Sequence, residues 1–196
     1  MPKIYTEEEK YQQKIKMYTA GLKMISQNGY KNVKVDDLVE VAGVSKGYFY
    51  LLFESKEEFI LDALMWQMDN VFSALKCADD AGASSQETGL LYQSMFKNLN
   101  FIQYSDITYI KKKCTQQMWD KFKHFEEQHF KNILKLLGKD DDKHDPRVIS
   151  NLSSIIFLSY NSMKDEESSF FTDKANDVTQ LLLETLHRYL HEKSIY

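Results

Sequence analysis

The sequence contains very little proline and glycine. Of its 196 residues, only Pro2 and Pro146 are prolines and seven are glycines. A β-sandwich or β-barrel needs turns rich in these residues about every 8–12 residues. Between the two prolines, apolar residues instead recur three or four positions apart, as at Tyr18, Leu22 and Ile25. The sequence therefore predicts an all-α protein.

Cysteine and long apolar runs are also scarce. Cys77 and Cys114 are the only two cysteines, which is too few for a disulfide framework. No apolar run approaches the roughly 18 residues of a membrane-spanning helix. The first nine residues lack the apolar stretch of a secretory signal. We therefore expect a cytoplasmic protein with reduced thiols and no membrane partner.

No group of residues in the sequence has the pattern of a catalytic or metal site. His187 and His191 lie one helical turn apart, but such a pair on a helix near the carboxyl end is more typical of a solvated surface. The run at 140–142 has three aspartates without the spacing or glycine of a calcium loop. We expect no enzymatic activity, no metal and no cofactor.

Residues 35–52 have the pattern of two short helices joined by a tight turn. After a first helix over about residues 8–28, a helix is predicted at 35–42, followed by a turn at Gly43 and a helix from Lys46 to Leu52. Ser45 is a favourable N-cap for that last helix. Ser55 and Glu58 form a capping box that begins a long helix to about residue 77. This order predicts a helix-turn-helix unit.

Residues 78–85 are small and polar and are predicted to form a linker, and further helices are predicted after it. They are expected at about 86–103, 106–113, 115–137, 146–163 and 172–192. We therefore place one domain at residues 1–55, with the start of a linking helix at 56–77, and a larger helical domain at 78–196.

Charge is distributed unevenly between these parts. The net charge is −4, which by itself does not indicate nucleic-acid binding, but residues 1–60 hold nine basic and nine acidic residues and are neutral. A neutral segment can still present a local basic face to phosphate.

The motifs AGVSKGYFY at 42–50 and FESKEEF at 53–59 resemble the DNA-binding domain of TetR-family transcriptional regulators, and the resemblance covers about residues 8–60. It implies an amino-terminal three-helix DNA-binding domain and a larger helical domain for ligand binding and dimerisation. It also implies a homodimer formed through the last two helices, since a palindromic double-stranded DNA operator requires two-fold symmetry.

The resemblance also implies which residues contact DNA. Three would begin the recognition helix in the major groove, and the others would contact phosphate or support those contacts. The residues are Lys34, Ser45, Lys46, Gly47, Tyr48, Tyr50 and Lys56. Lys34 replaces the Ser or Thr that is usual in the family, so a helix cap is lost. Asp36 replaces a basic residue of some members and would either accept from cytosine or avoid the DNA.

The second domain is rich in aromatic residues and methionine, which fits either a packed core or an apolar ligand pocket. We expect a small apolar or aromatic effector, with Trp119 and Phe122 as wall residues and Tyr160 as a polar anchor.

The leading interpretation is a ligand-responsive DNA-binding regulator, a repressor released from its operator by a small molecule. The alternative is a small-molecule-binding helical module without operator binding.

Overall fold

The computed structural model describes residues 5–96, 102, 104–139, 143–163 and 171–191. In these ranges the chain forms nine α-helices and no strand, which confirms the predicted all-α class. The helices are α1 (Glu7–Asn28), α2 (Val35–Ala42), α3 (Lys46–Leu52), α4 (Lys56–Asp80), α5 (Ser85–Phe96), α6 (Tyr104–Lys113), α7 (Gln116–Leu136), α8 (Pro146–Met163) and α9 (Ala175–His191). Short 3₁₀ turns at Tyr30–Asn32 and Thr172–Lys174 precede α2 and α9.

The chain divides into two compact units. The first contains residues 1–67 and 100–122, and the second contains residues 68–99 and 123–196. The first unit thus includes α6 in addition to the helix-turn-helix region. The division expected from the sequence, a DNA-binding domain at 1–55 and a ligand-binding and dimerisation domain at 78–196, stays a prediction.

Helix boundaries differ from the predicted ones at a few ends. Helix α1 begins one residue early, because the Thr6 hydroxyl accepts from the Glu9 N–H at 3.1 Å and forms a cap. Helix α4 continues through the first residues of the predicted linker and gives way to a turn at Gly82, which has φ +89°, a conformation that suits glycine. Part of the helix predicted at 86–103 lies outside the described residues.

An aromatic cluster forms the core of the first unit. Four rings lie with centroids 5.1–5.9 Å apart, namely those of Tyr18 in α1, Phe49 in α3, Phe53 directly after α3 and Phe59 in α4. The three phenylalanines are at most 1% exposed. Gly21 faces this cluster, and a Cβ atom there would lie 2.8 Å from Cζ of Phe59. The missing side chain of Gly21 thus lets α1 approach the ring of Phe59 closely.

In the second unit, α8 and α9 pack against each other. The predicted start of α8 is confirmed, since Asp145 accepts from the Arg147 N–H at 2.9 Å before the proline at the first helical position. Both helices also carry large apolar side chains that are exposed, namely Val148, Ile155, Val178 and Leu181.

Among the described residues, no helix has both the length and the apolar character needed to cross a membrane.

The close contact at Gly21 generates a stability prediction. Gly21→Val should lower the thermal midpoint by about 2–12 °C, because overpacking a core costs about 1–3 kcal/mol and each kcal/mol shifts a chain of this size by about 2–4 °C. Gly89→Val in α5 is the matched control, since a Cβ there meets nothing within 4 Å. Differential scanning calorimetry measures both. Equal midpoints for the two variants would contradict this account of Gly21.

Candidate nucleic-acid interface

The turn between α2 and α3 has the predicted structure. Gly43 adopts φ +66° and ψ +36°, the left-handed conformation that ends many helices. The Ser45 hydroxyl accepts from the Tyr48 N–H at 3.2 Å, which confirms Ser45 as the N-cap of α3. The helix therefore begins at Lys46, with its first residues at the surface.

Lys46 and Gly47 are both exposed at the start of α3. A Cβ on Gly47 would meet only the Ser45 hydroxyl oxygen, at an ordinary 3.9 Å, so packing inside the chain does not require glycine here. Lys46 pairs with Asp36 of α2 at 3.0 Å, and both side chains are more than half exposed. Because an exposed ion pair contributes at most about 1 kcal/mol, Lys46 can exchange Asp36 for another anion at little cost.

The two tyrosines of α3 lie in different surroundings. Tyr50 is 50% exposed and free to meet a partner. Tyr48 is half-buried beneath Tyr5, with ring centroids 4.6 Å apart, and burial raises the pKa of its phenol. Within the described residues the Tyr48 hydroxyl has no hydrogen-bond partner. Sequence reasoning missed Tyr5, because no spacing rule connects a residue before α1 with α3.

The amino-terminal end of α2 has a cap that compensates for Lys34. The Asp37 carboxylate accepts from the Lys34 N–H at 3.0 Å. The exposed side chain of Lys34 is therefore not needed to cap α2 and remains available for contact with a partner.

The capping box before α4 differs in one partner from the expected one. The Ser55 hydroxyl accepts from the Glu58 N–H at 3.0 Å, as predicted. The Glu58 carboxylate, however, accepts from the N–H of Glu54, one residue before the expected donor. The junction between α3 and α4 is thus held by two hydrogen bonds from backbone N–H groups to the side chains of Ser55 and Glu58.

Lys56, expected at a phosphate, makes several contacts inside the chain. Its Nζ donates to the carbonyl of Tyr30 at 2.7 Å and to the carbonyl of Val33, and lies 4.0 Å from the centroid of the Tyr30 ring. Burial lowers the pKa of this half-buried ammonium. Since an ammonium has three donors, one remains for a phosphate.

Tyr30 connects the loop before α2 to two helices. Its N–H donates to the buried Asp106 of α6 at 2.7 Å, and its hydroxyl donates to Glu57 of α4 at 2.6 Å. Its ring lies 5.7 Å from that of Tyr109 in α6. Burial and the Glu57 hydrogen bond raise the pKa of Tyr30. We define Tyr30, Lys56, Glu57 and Asp106 as the Tyr30 anchor.

The structure leaves most of the expected DNA contacts accessible. The exposed residues are Lys34, Ser45, Lys46, Gly47 and Tyr50, while Tyr48 and Lys56 are half-buried. Nothing in these contacts establishes that any of the seven binds DNA, so their roles stay predictions.

The residues expected to bind an effector are placed only in part. Trp119 and Phe122 of α7 contact each other, with centroids 5.6 Å apart, and both belong to the first unit. Phe122 is buried, and the Lys111 ammonium lies 5.3 Å from the centroid of the Trp119 ring. The side chain of Tyr160 lies outside the described residues.

These features define a helix-turn-helix domain with an accessible recognition helix, followed by further helices. Residues 18–63 match the family model described as "Bacterial regulatory proteins, tetR family". The amino-terminal domain therefore belongs to the TetR family, which confirms the resemblance seen in the sequence.

Similar proteins extend the comparison beyond this domain. The uncharacterized HTH-type transcriptional regulator YuxN of Bacillus subtilis (strain 168) is 23% identical over 190 residues, which cover 87% of this chain and 64% of that protein. The transcriptional regulator AcuR of Cereibacter sphaeroides is 41% identical over 56 residues, which are 29% of this chain and 25% of AcuR. This chain thus spans less than two thirds of the length of either relative.

A solved structure shares the fold. SCO7518 from Streptomyces coelicolor A3(2) matches with a TM-score of 0.56 and 16% identity, over 92% of this chain and 99% of that one. The chain therefore has a TetR-like regulator fold, with a helix-turn-helix domain and a larger helical part.

The Tyr30 anchor generates a second prediction. Asp106→Ala should destabilise the first unit by about 1–3 kcal/mol, because it leaves the buried N–H of Tyr30 unpaired. Asp36→Ala, which removes only the exposed pair with Lys46, should change stability by less than about 1 kcal/mol. Chemical denaturation measures both, and hydrogen exchange should be faster at the Tyr30 amide in Asp106→Ala alone. Unchanged protection of that amide would contradict the role of Asp106.

Proposed function

We propose that this chain is a homodimeric, ligand-responsive transcriptional regulator that binds a palindromic operator and acts as a repressor. The observation that carries the proposal is the exposed start of α3 in a TetR-family domain, where Ser45 caps the helix and Lys46 and Gly47 lie at the surface. A helix-turn-helix recognition helix contacts base edges with its amino-terminal residues.

In this proposal, α3 lies in the major groove with Lys46, Gly47 and Tyr48 nearest the bases. Lys46 leaves Asp36 to reach the DNA, because the exposed pair stabilises the free protein only weakly. Tyr48 is partly covered by Tyr5 and its hydroxyl oxygen is buried, so it presents only the exposed part of its side chain to the DNA.

The remaining contacts position the domain on the DNA backbone. Lys34, Ser45 and Tyr50 are exposed and supply donors for phosphate. Lys56 combines two roles, since it holds the Tyr30 loop with two donors and offers the third to a phosphate near the amino terminus of α4.

The second unit would form the dimer through α8 and α9. Both helices expose apolar side chains to water in the single chain, which does not stabilise a monomer. These side chains are Val148 and Ile155 on α8 and Val178 and Leu181 on α9. A two-fold contact between copies of these helices would bury it and match the symmetry of a palindrome.

An effector would bind the helical body and favour a conformation in which the two DNA-binding domains no longer fit adjacent major grooves. The apolar and aromatic character of the body supports a small apolar or aromatic effector. Trp119 and Phe122 remain candidate wall residues, and Tyr160 remains the candidate anchor.

Lys56→Ala tests the DNA contact. It should weaken binding to all sequences and reduce the salt slope of log K by about one, because one phosphate contact is lost. The full chain first selects its site from random double-stranded DNA, and fluorescence anisotropy across a salt series then measures affinity. Lys76→Ala, an exposed lysine further along α4, is the control.

The salt series separates the two roles of Lys56. A weaker affinity with an unchanged slope would show that Lys56 only positions the Tyr30 loop. If selection yields no preferred sequence at all, the chain is the alternative, a ligand-binding module without operator binding.

The dimer has its own test. Light scattering at micromolar concentration should give about twice the chain mass of 23.1 kDa. Leu181→Lys should produce monomers, because Leu181 is 62% exposed in one chain and an unpaired ammonium buried at the interface costs several kcal/mol. Asn176→Lys, also exposed on α9, should leave the mass unchanged. A monomeric native chain that binds a palindrome tightly would overturn the dimer.

A further inference from the structure

The second unit contains a group of buried and half-buried polar side chains where α7 contacts α8. The Ser150 hydroxyl of α8 donates to the Glu126 carboxylate of α7, with 3.4 Å between the two oxygens. Ser153 follows Ser150 by about one turn and therefore shares its face of α8. Ser150 is 9% exposed and Ser153 is 5% exposed. Two buried hydroxyls thus share one face of α8, and one of them contacts the half-buried carboxyl of Glu126.

Aromatic rings adjoin this group. His129 lies one turn after Glu126 on α7 and is 6% exposed. Its ring stacks on Phe125, with centroids 6.1 Å apart, and meets the edge of Phe72 of α4 at 6.2 Å. Burial lowers the pKa of His129 to about 4, so this imidazole is neutral at neutral pH.

The charges and hydrogen bonds of this group are incomplete. In the part of the chain that the structure describes, no lysine or arginine pairs with Glu126, and the Ser153 hydroxyl has no hydrogen-bond partner. Burial raises the pKa of the Glu126 carboxyl. A half-buried carboxylate without a cation and a buried hydroxyl without a partner both cost free energy. A ligand that supplies the missing cation and hydrogen bond would recover that cost.

We propose that Glu126, Ser150, Ser153 and His129 form the polar end of an effector site that binds a protonated amine attached to an aromatic or apolar body. Glu126 is the counter-ion of the ammonium, and the Ser153 hydroxyl accepts one of its hydrogen bonds. Phe72 and Phe125 contact the apolar body, and their faces also attract a cation. This inference rests on the proposed regulator function and specifies its effector as cationic at one end.

The test uses three compounds of nearly equal shape that differ in charge. Phenethylamine is a cation at pH 7.5, 2-phenylethanol is neutral and 3-phenylpropionate is an anion. Calorimetric titration of the purified full chain should show phenethylamine bound at least about tenfold more tightly than 2-phenylethanol, with 3-phenylpropionate weakest. The order follows from an ion pair formed away from water.

Glu126→Gln keeps the shape of the side chain and removes its charge. It should weaken phenethylamine binding by about tenfold or more and leave 2-phenylethanol binding unchanged. Glu127→Gln, the next residue of the same helix, is the matched control and should bind all three compounds as the parent chain does. Ser153→Ala should weaken the amine by a smaller factor of about three to ten.

A measurement without ligand tests the same site independently. Glu126→Gln should raise the thermal midpoint at pH 8, because it removes the charge of a half-buried carboxyl whose pKa is raised by burial. A lower midpoint would show that the carboxylate is a structural partner and would overturn the proposal. Three other results would also overturn the proposal: a preference for 3-phenylpropionate, an equal amine affinity in Glu126→Gln, or an unchanged thermal midpoint with phenethylamine at about 10 mM, which is near the weakest affinity expected for a ligand of this size.

The outcomes for DNA are separate from those for the ligand. Glu126→Gln without ligand should bind the selected DNA as the parent chain does. If the amine binds through Glu126 but no DNA is selected, the regulator function fails and the amine site stands. If DNA binding is intact and no amine binds, the amine site fails alone.

Discussion

The Tyr30 anchor is the constraint on which the helix-turn-helix domain depends. The loop from α1 to α2 carries backbone groups that are removed from water, and each needs a partner. Asp106 accepts from the N–H of Tyr30, and the ammonium of Lys56 satisfies the carbonyls of Tyr30 and Val33. Because α2 begins directly after this loop, these hydrogen bonds set where the helix-turn-helix starts. The first unit therefore includes α6 as a structural part of the DNA-binding domain.

The core and the surface of that domain are separated within α3. Phe49 is buried in the aromatic cluster, while its neighbours on either side turn outward to different degrees. Helical geometry sends adjacent residues about 100° apart, so a short helix can hold one residue in the core and present others to a partner. The exposed pair between Lys46 and Asp36 holds the lysine side chain only weakly in the free protein.

The second unit combines an apolar core with a few buried polar groups. Its helices bury Ile149 and Ile156 of α8 and Leu183 of α9. Glu126 and Ser153 add polar groups whose charge and hydroxyl lack partners among the described residues, and removing such groups from water costs free energy. Proteins retain costs of this kind mainly at sites with a function. The aromatic residues around His129 and the polar groups beside it are therefore consistent with the two ends of one proposed ligand site.

Local sequence determined much of this protein. The helical spacing of apolar residues, Gly43 at the turn, and the caps at Ser45, Ser55 and Asp145 depend on neighbours within a few residues, so the all-α class and most helix bounds could be predicted. The motifs at 42–59 also indicated the family. Only the tertiary structure showed that Tyr5 covers Tyr48, that Asp106 holds Tyr30 and that Glu126 meets Ser150 with no lysine or arginine paired to it among the described residues. These pairs join distant segments of the chain, and no periodicity encodes which buried polar groups find a partner and which remain without one.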